Sequence, residues 1–305
     1  MAAKGQHAAY AGTPPAIGEA TVGDYISLLK PRVMSLVVFT GFCGMLLAPG
    51  AKELHPFLAV IAVFCIALAS GAAGAINMWY DRDIDALMKR TQNRALPRGR
   101  MQPDDALAFG VVLTILSVIL MGLALNWMAA GLLAAASLFY VFVYTVWLKR
   151  RTPQNIVIGG AAGAFPPMIG WAAVTGGISI ESVLLFALIF FWTPPHFWAL
   201  ALFRNSDYKR AGVPMLPVIS GIRATKKQIL AYTVIVCLLA LLPYLLHMGG
   251  LFYLGCAAVL NVLFLRCAIR VFRADEADHK PARQMFAFSI FYLFGIFAAL
   301  MAGTF

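Results

Sequence analysis

Runs of about 20 apolar residues recur along almost the whole chain, separated by short polar segments. A run of this length is enough for a helix to cross the hydrocarbon core of a bilayer. The pattern therefore predicts an all-α, polytopic membrane protein in which a disordered tail, 1–22, precedes a single membrane domain, 23–305. The nine predicted transmembrane helices cover residues 33–47, 56–80, 104–125, 128–147, 155–174, 181–203, 228–246, 251–272 and 285–305. The first is short unless it extends back through residues 25–30, where Pro31 would kink it.

The positions of the basic residues predict how this bundle is oriented. When alternate segments are assigned to alternate sides, every Lys and Arg except Lys52 falls on the side of the N-terminus. Basic loops face the cytoplasm, so we predict a cytoplasmic N-terminus and a periplasmic C-terminus in a bacterial inner membrane. The two long loops on the basic side, 81–103 and 204–227, are the expected places for function, because long loops in a compact bundle usually carry it.

Composition and charge exclude several other classes of protein. Of the 305 residues, 61% are hydrophobic and only 12% are charged, whereas soluble domains carry about 25% charged residues. The net charge of +11 follows from the topology signal, so no nucleic-acid partner is predicted. All five cysteines lie within apolar runs and none has C-x-x-C spacing, which is typical of small buried residues and not of disulfides or metal ligands.

Polar side chains cluster where the second predicted span meets the first long loop. Asn77, Asp81 and Asp85 follow one another at intervals of four residues. On a continuous helix they would spread over only about 80° of one face and rise about 12 Å, whereas Asp83 would point to the opposite side. Carboxylate and amide oxygens suit Mg²⁺, which takes one or two protein carboxylates and completes its shell with water and phosphate. Solvation of a helix end is the alternative explanation, but ionisable groups at a membrane boundary are usually functional.

The second long loop adds one carboxylate, Asp207, which lies close to basic residues. By itself this would indicate a surface ion pair, but the loop is predicted to lie on the same side of the membrane as the first cluster. We therefore predict that Asp207 is a further metal ligand. A polyanionic substrate would recruit cations at this level, since Arg and Lys stabilise phosphate oxygens, although each of them could also be a simple membrane anchor. The candidate cations are Lys30, Arg94, Lys149, Arg150, Lys209 and Arg210.

The spans at 155–174 and 181–203 have an unusual composition. Gly159 and Gly163 form a G-x-x-x-G pair, for which close helix packing is the usual explanation. Proline pairs at 166–167 and 194–195 should kink both helices and open a cavity between them. His196 stands in the middle of the second of these spans, where it is either a packing residue or a functional one that ligates iron or acts as a base.

These residues resemble those of a known superfamily. Asn77-x-x-x-Asp81-x-x-x-Asp85 at the end of a second span, Lys30-Pro31 before the first, and Tyr144 with Lys149-Arg150 after the fourth resemble the UbiA-type intramembrane prenyltransferases. Within that superfamily, residues 77–91, 192–200 and 207–217 resemble the protohaem IX farnesyltransferases, the haem O synthases. The resemblance covers all nine spans. It departs from the superfamily pattern in the second loop, where Arg210 and Ala211 stand at positions that often carry acids.

The resemblance implies a nine-helix UbiA-type bundle in which farnesyl diphosphate, haem b and water give haem O and diphosphate, with Mg²⁺ required. It implies that Asn77, Asp81, Asp85 and Asp207 bind the metal–diphosphate, that the cations named above contact diphosphate, and that His196 and Trp198 bind haem. The apolar cavity would hold the prenyl chain, and aromatic walls would stabilise an allylic cation. A haem A synthase or oxidase-assembly factor is the expected protein partner.

Two other functions compete with this one. A UbiA-type enzyme that prenylates a quinone precursor or a chlorin would share the first motif but not readily the stretches around His196 and 208–217. A transporter would fit the span count, but it should carry ionisable residues deep within several spans, and acids are absent from the middle of the spans here.

Overall fold

The computed structural model describes residues 20–303, and within this range the chain is helical with no strands. Residues 1–19, most of the predicted disordered tail, lie outside the described residues. A π-helical segment, Phe139–Leu148, continues the sixth α-helix. The α-helices are α1 Val22–Leu28, α2 Pro31–Leu46, α3 Pro56–Tyr80, α4 Arg82–Leu87, α5 Pro103–Ala124, α6 Trp127–Leu138, α7 Asn155–Thr175, α8 Ile180–Phe203, α9 Asn205–Arg210, α10 Leu216–Ile219, α11 Gly221–Leu239, α12 Leu242–Leu245, α13 Leu251–Arg273 and α14 Lys280–Ala302.

The number of spans agrees with the pattern of apolar runs. In the described part of the chain, eight helices are long and apolar enough to cross a membrane, and the number is nine if α1 and α2, which meet at a bend of 50°, count as one span. The bend lies at Lys30, whose backbone is left-handed at φ 51°, immediately before Pro31. Proline disfavours the right-handed helical conformation in the residue before it, and the predicted kink at this position is confirmed. The orientation of the termini stays a prediction.

Helices α2 and α7 cross so closely that their backbones touch. A Cβ added to Gly44 would lie 2.1 Å from the carbonyl oxygen of Pro167, and one added to Gly170 would lie 2.0 Å from that of Gly41. Small residues permit this approach, which is how helices associate in a bilayer without a hydrophobic driving force.

The predicted G-x-x-x-G contact is wrong in its detail. Gly159 packs under the ring of Tyr144, where a Cβ would meet Cδ2 at 2.1 Å, but a Cβ added to Gly163 would have no neighbouring element within 4 Å. The close approach of α7 to α8 occurs instead at Gly160, whose Cβ would lie 2.9 Å from Cγ2 of Thr193. Sequence spacing cannot show which side of a helix its neighbour will occupy.

The two proline pairs lie inside helices that run without interruption, and all four prolines are buried. The first pair, at 166–167, packs against the glycines of α2. The kinks and the cavity predicted between α7 and α8 stay predictions.

A buried lysine joins the start of α11, where the second long loop ends, to the end of α13. Lys226, near the start of α11, donates to the carbonyl oxygens of Ala274 at 2.8 Å and Asp275 at 3.4 Å, just beyond the end of α13. The start of α11 and the end of α13 therefore lie on the same side of the bundle as the 204–227 loop. All five cysteines are free; Cys43 and Cys65 are buried as predicted, whereas the other three are only partly buried.

We expect Gly44→Ala to destabilise the fold by at least about 1–3 kcal/mol, because the new methyl group meets backbone that cannot move aside. Thermal unfolding of the purified protein in detergent measures the effect. Gly163→Ala is the matched control and should unfold at the same or a higher temperature, since its methyl group meets open space and alanine favours the helix. Equal melting temperatures for the two variants would contradict this account of the α2–α7 contact.

Candidate active site

The acidic cluster lies where α3 ends. The sequence pattern suggested one continuous helix through Asp85, but α3 stops at Tyr80, and the short α4 begins after Asp81. The amide of Asp81 still donates to the carbonyl oxygen of Asn77 at 2.9 Å, and that of Asp85 donates to Asp81 at 2.8 Å. The backbone hydrogen bonds between residues four apart, which are those of an α-helix, are therefore kept on both sides of the break. Asn77, Asp81 and Asp85 are 5%, 1% and 5% exposed, so surface solvation does not explain them.

The carboxylate of Asp81 is held by side chains from α3 and from the end of the π-helical segment. Its Oδ2 accepts from Asn77 Nδ2 at 2.7 Å and from the ammonium group of Lys149. Its Oδ1 accepts from Arg150 at 3.3 Å. Two of the predicted diphosphate-binding cations thus meet the predicted metal ligand directly.

Asn77 connects this pair to two further elements. Its Nδ2 also donates to Thr145 Oγ1 at 3.1 Å, and its Oδ1 accepts from Lys30 at 3.4 Å. Thr145 is fully buried and belongs to the π-helical segment, in which the Lys149 amide reaches back five residues to Tyr144. A π-helix is rare and concentrates at functional sites. Sequence reasoning missed Thr145, because nothing in the residue pattern indicates the extra residue in a turn of the π-helical segment.

The remaining carboxylates of the first loop pair with arginines. Asp85 accepts from Arg94 at 2.5 Å, while Asp83 takes two bonds of 2.7 Å from Arg150. The hydrogen bond with Asp83 raises the pKa of Arg150 above its ordinary value, so the guanidinium stays charged. Partial burial raises the pKa of Asp83, but the Arg150 and backbone hydrogen bonds outweigh burial and hold the pKa below its ordinary value. Both partners are therefore charged at neutral pH.

The second loop packs against the first through apolar side chains. Ile84 and Met88 from the first loop share a buried cluster with Tyr208, Val213 and Met215 from the second. The two loops therefore lie on one side of the bundle, as the pattern predicted.

A cation also joins the two loops. Arg90 donates to the Tyr208 hydroxyl at 3.3 Å and lies over its ring. Asp207 is 4% exposed and accepts from Arg210 at 2.9 Å, whereas Lys209 is exposed.

The donor chemistry fits magnesium, although no metal cage is assembled. Within residues 20–303, no three His, Cys, Asp or Glu side chains converge into a group that could hold a metal ion. Mg²⁺ needs only one or two carboxylates when substrate phosphate completes its shell. Buried Asp81 and Asp85 with the Asn77 amide supply oxygen donors of that kind.

His196 is packed between aromatic rings deep in the bundle. Its ring stacks between Trp192 at 4.3 Å and Phe286 at 4.6 Å, and its Nδ1 lies 2.7 Å from Ser289 Oγ of α14. The Ser289 hydroxyl also lies 2.7 Å from the carbonyl oxygen of Phe286, as a donor. Because a hydroxyl has one hydrogen to give, this arrangement favours the tautomer in which Nδ1 donates and Nε2 keeps its lone pair.

Trp198 lies inside the core. It is 1% exposed and packs edge-on against Tyr232 at 5.3 Å. Its predicted contact with haem stays a prediction.

Residues 37–291 match the UbiA prenyltransferase family. The chain belongs to that family. The protoheme IX farnesyltransferase of Rhizobium johnstonii is 58% identical over 287 residues, covering 93% of this chain and 90% of that protein. The enzyme of the same name from Acidiphilium cryptum is 59% identical over 290 residues, covering 92% and 90%.

Solved structures of distant relatives share the fold of this UbiA-family protein. One, of digeranylgeranylglyceryl phosphate synthase, superposes with a TM-score of 0.76 at 21% identity and covers 93% of this chain and 98% of that one. Another, a UbiA homologue from Archaeoglobus fulgidus bound to DMAPP and Mg²⁺, gives a TM-score of 0.62 at 19% identity and covers 90% and 99%. At these identities the likeness establishes the fold alone.

We expect Met88→Ala to loosen the second loop from the first, because it leaves a cavity at a side chain that is 2% exposed. Such truncations typically cost about 2–5 kcal/mol where the site cannot collapse. Hydrogen exchange of the 205–219 backbone should accelerate. Leu87→Ala, at a neighbour that is 47% exposed, is the control and should leave exchange unchanged. Equal protection in both variants would show that the apolar cluster does not hold the loops together.

Proposed function

We propose that this UbiA-family protein is a protohaem IX farnesyltransferase, which converts haem b, farnesyl diphosphate and water to haem O and diphosphate. The carrying observation is the convergence of Lys30, Lys149 and Arg150 on the Asn77–Asp81 pair at one end of an apolar bundle. That arrangement suits an anionic group on a hydrophobic chain. The high identity to proteins named for farnesyl transfer to protohaem supports the choice of both substrates.

The charged residues would act on the diphosphate. Lys149, Arg150 and Arg94 would exchange bonds with carboxylates for bonds to phosphate oxygens, which are charge-assisted and strong. Lys30 would exchange its bond with the Asn77 amide oxygen in the same way. Preorganised cations of this kind stabilise the charge that builds up as the carbon–oxygen bond breaks. From the second loop, Lys209 and Arg210 would close over the same group.

Asn77, Asp81 and Asp85, with Asp207 from the second loop, would hold Mg²⁺. When bound with the diphosphate, the ion supplies positive charge that stabilises the leaving group. The Archaeoglobus fulgidus homologue was solved with Mg²⁺ and a prenyl diphosphate, which supports a metal requirement here.

Transfer then joins the farnesyl carbon to a haem vinyl group, and water adds to the other vinyl carbon with loss of a proton. Tyr140 and Tyr144, whose rings lie 5.3 Å apart on the π-helical segment, would line the path of the allylic cation. His196 would bind haem iron or accept the proton through Nε2, the nitrogen not engaged by Ser289.

We further propose that the protein resides in a bacterial inner membrane with this site on the cytoplasmic side. The uneven distribution of Lys and Arg supports that orientation. Exchange of product with a haem A synthase or an oxidase-assembly factor remains a prediction from the resemblance.

Haem extraction and mass analysis test the proposal, after expression in a strain that lacks haem O. We expect haem O to accumulate. In parallel assays, an aromatic acid or a chlorin replaces haem as acceptor, which separates this function from other UbiA-type prenylation. Release of diphosphate from farnesyl diphosphate separates it from transport. Prenylation of the aromatic acid without haem O formation would reject it.

Asp81→Asn should reduce farnesyl transfer by at least about a hundredfold, because the loss of charge removes a metal ligand and leaves Lys149 without its carboxylate partner, whereas Arg150 keeps Asp83. Turnover is measured on purified protein whose helical content is unchanged. Asp83→Asn is the matched control, since its side chain is 59% exposed, and it should stay within severalfold of the parent. Comparable losses in the two variants would remove the special role of Asp81.

His196→Ala should abolish haem O formation and change the visible absorption spectrum of added haem. Ser289→Ala should reduce haem O formation only in part and should change the spectrum less, because the stacked rings still hold the imidazole. Undiminished haem O formation by the first variant would return His196 to a packing role.

A further inference from the structure

One face of α13 carries an exposed apolar stripe that ends in arginines. Val259 and Val262 are 61% and 66% exposed, and Arg266, Arg270 and Arg273 continue the same face toward the end of the helix. Residues at these spacings lie above one another on a helix. The three guanidinium groups thus occupy about 10 Å of the helix end.

The arginines border a groove of about 650 Å³ between α13 and the start of α14. Leu265 and Ile269 form its apolar wall, and Pro281 of α14 closes one side. The one acidic side chain on its rim, Asp278, accepts from the backbone amide of Lys280 at 2.9 Å.

No described carboxylate pairs with these arginines. Within residues 20–303 none of the three forms a salt bridge, whereas Arg94, Arg150 and Arg210 all do. A helix end attracts cations through the free carbonyl groups of its last turn, which holds Arg270 and Arg273. Arg266 lies one turn further back, so the dipole of the helix does not account for the full set.

We propose that this groove binds the headgroup of an anionic phospholipid, with an acyl chain lying along Val259 and Val262. Charge complementarity selects an anionic phosphate, and the apolar stripe below the arginines selects a lipid over a free ion. Lys226 places this end of α13 beside the 204–227 loop, the side on which the positive-inside rule predicts the cytoplasmic leaflet. Basic pockets between transmembrane helices on that side suit anionic headgroups.

The test measures lipid binding directly, in nanodiscs of phosphatidylcholine with and without phosphatidylglycerol. Native mass spectrometry of the released protein counts retained phosphatidylglycerol. We expect Arg266→Gln with Arg270→Gln to weaken its retention roughly 25-fold, about fivefold for each lost cation. If that pair does not insert, Arg266→Gln alone should weaken retention about fivefold.

The matched control lies on the neighbouring helix. Arg223 and Lys227 of α11 are also exposed and four residues apart, and neither lines the groove, so Arg223→Gln with Lys227→Gln removes the same charge from outside its lining. Phosphatidylglycerol retention should survive in this control. An equal loss in both double variants would overturn the proposal in favour of a general effect of surface charge.

Competition separates the other sources of anionic ligand. Inorganic phosphate should not displace phosphatidylglycerol, and displacement at equal concentration would indicate a site for the free ion. Displacement by haem, whose propionates are also anionic, would overturn the assignment to lipid. Both readouts are independent of farnesyl transfer, so failure here would leave the proposed function standing.

Discussion

The charge on Asp81 must be compensated, because its carboxylate is almost completely buried. An ionised group left without a partner at such a position costs several kcal/mol. Asn77, Lys149 and Arg150 supply the compensation from α3 and from the end of the π-helical segment. The carboxylate therefore ties together two spans that are distant in the sequence. The cations that neutralise it are also groups that a diphosphate would attract, so the stability of the site and the recognition of the proposed substrate would depend on the same side chains.

Departures from regular helix concentrate around this carboxylate. Lys30 has a left-handed backbone at the bend between α1 and α2, and its ammonium group reaches Asn77. The π-helical segment brings Thr145 and Lys149 to the same place. α3 itself ends at the residue before Asp81. Strained or irregular backbone persists only where surrounding contacts hold it, and such positions cluster at functional sites. The regular helices of the bundle provide that rigid frame.

Two chemically different regions result. The charged region lies among the loops, which are held together by the apolar cluster around Met88 and Tyr208. The aromatic region around His196 lies within α8 and α14, where the imidazole stacks between two rings. A prenyl diphosphate, the proposed substrate, has a charged end and an apolar chain, and the fold of this UbiA-family protein presents a region of each kind.

The sequence by itself determined the all-helical membrane fold, the bend at Pro31 and the grouping of polar residues near Asp81, because hydrophobic run length, proline sterics and residue spacing are local properties. It also indicated that the two long loops share one side, through the alternation of basic residues. Only the tertiary structure decided which neighbours meet. It paired Asp81 with Lys149, brought Thr145 to Asn77, placed Ser289 beside His196, and moved the close contact of α7 from Gly163 to Gly160. These contacts join residues far apart in the chain, and they depend on how each helix is rotated against its neighbours, which no local pattern encodes.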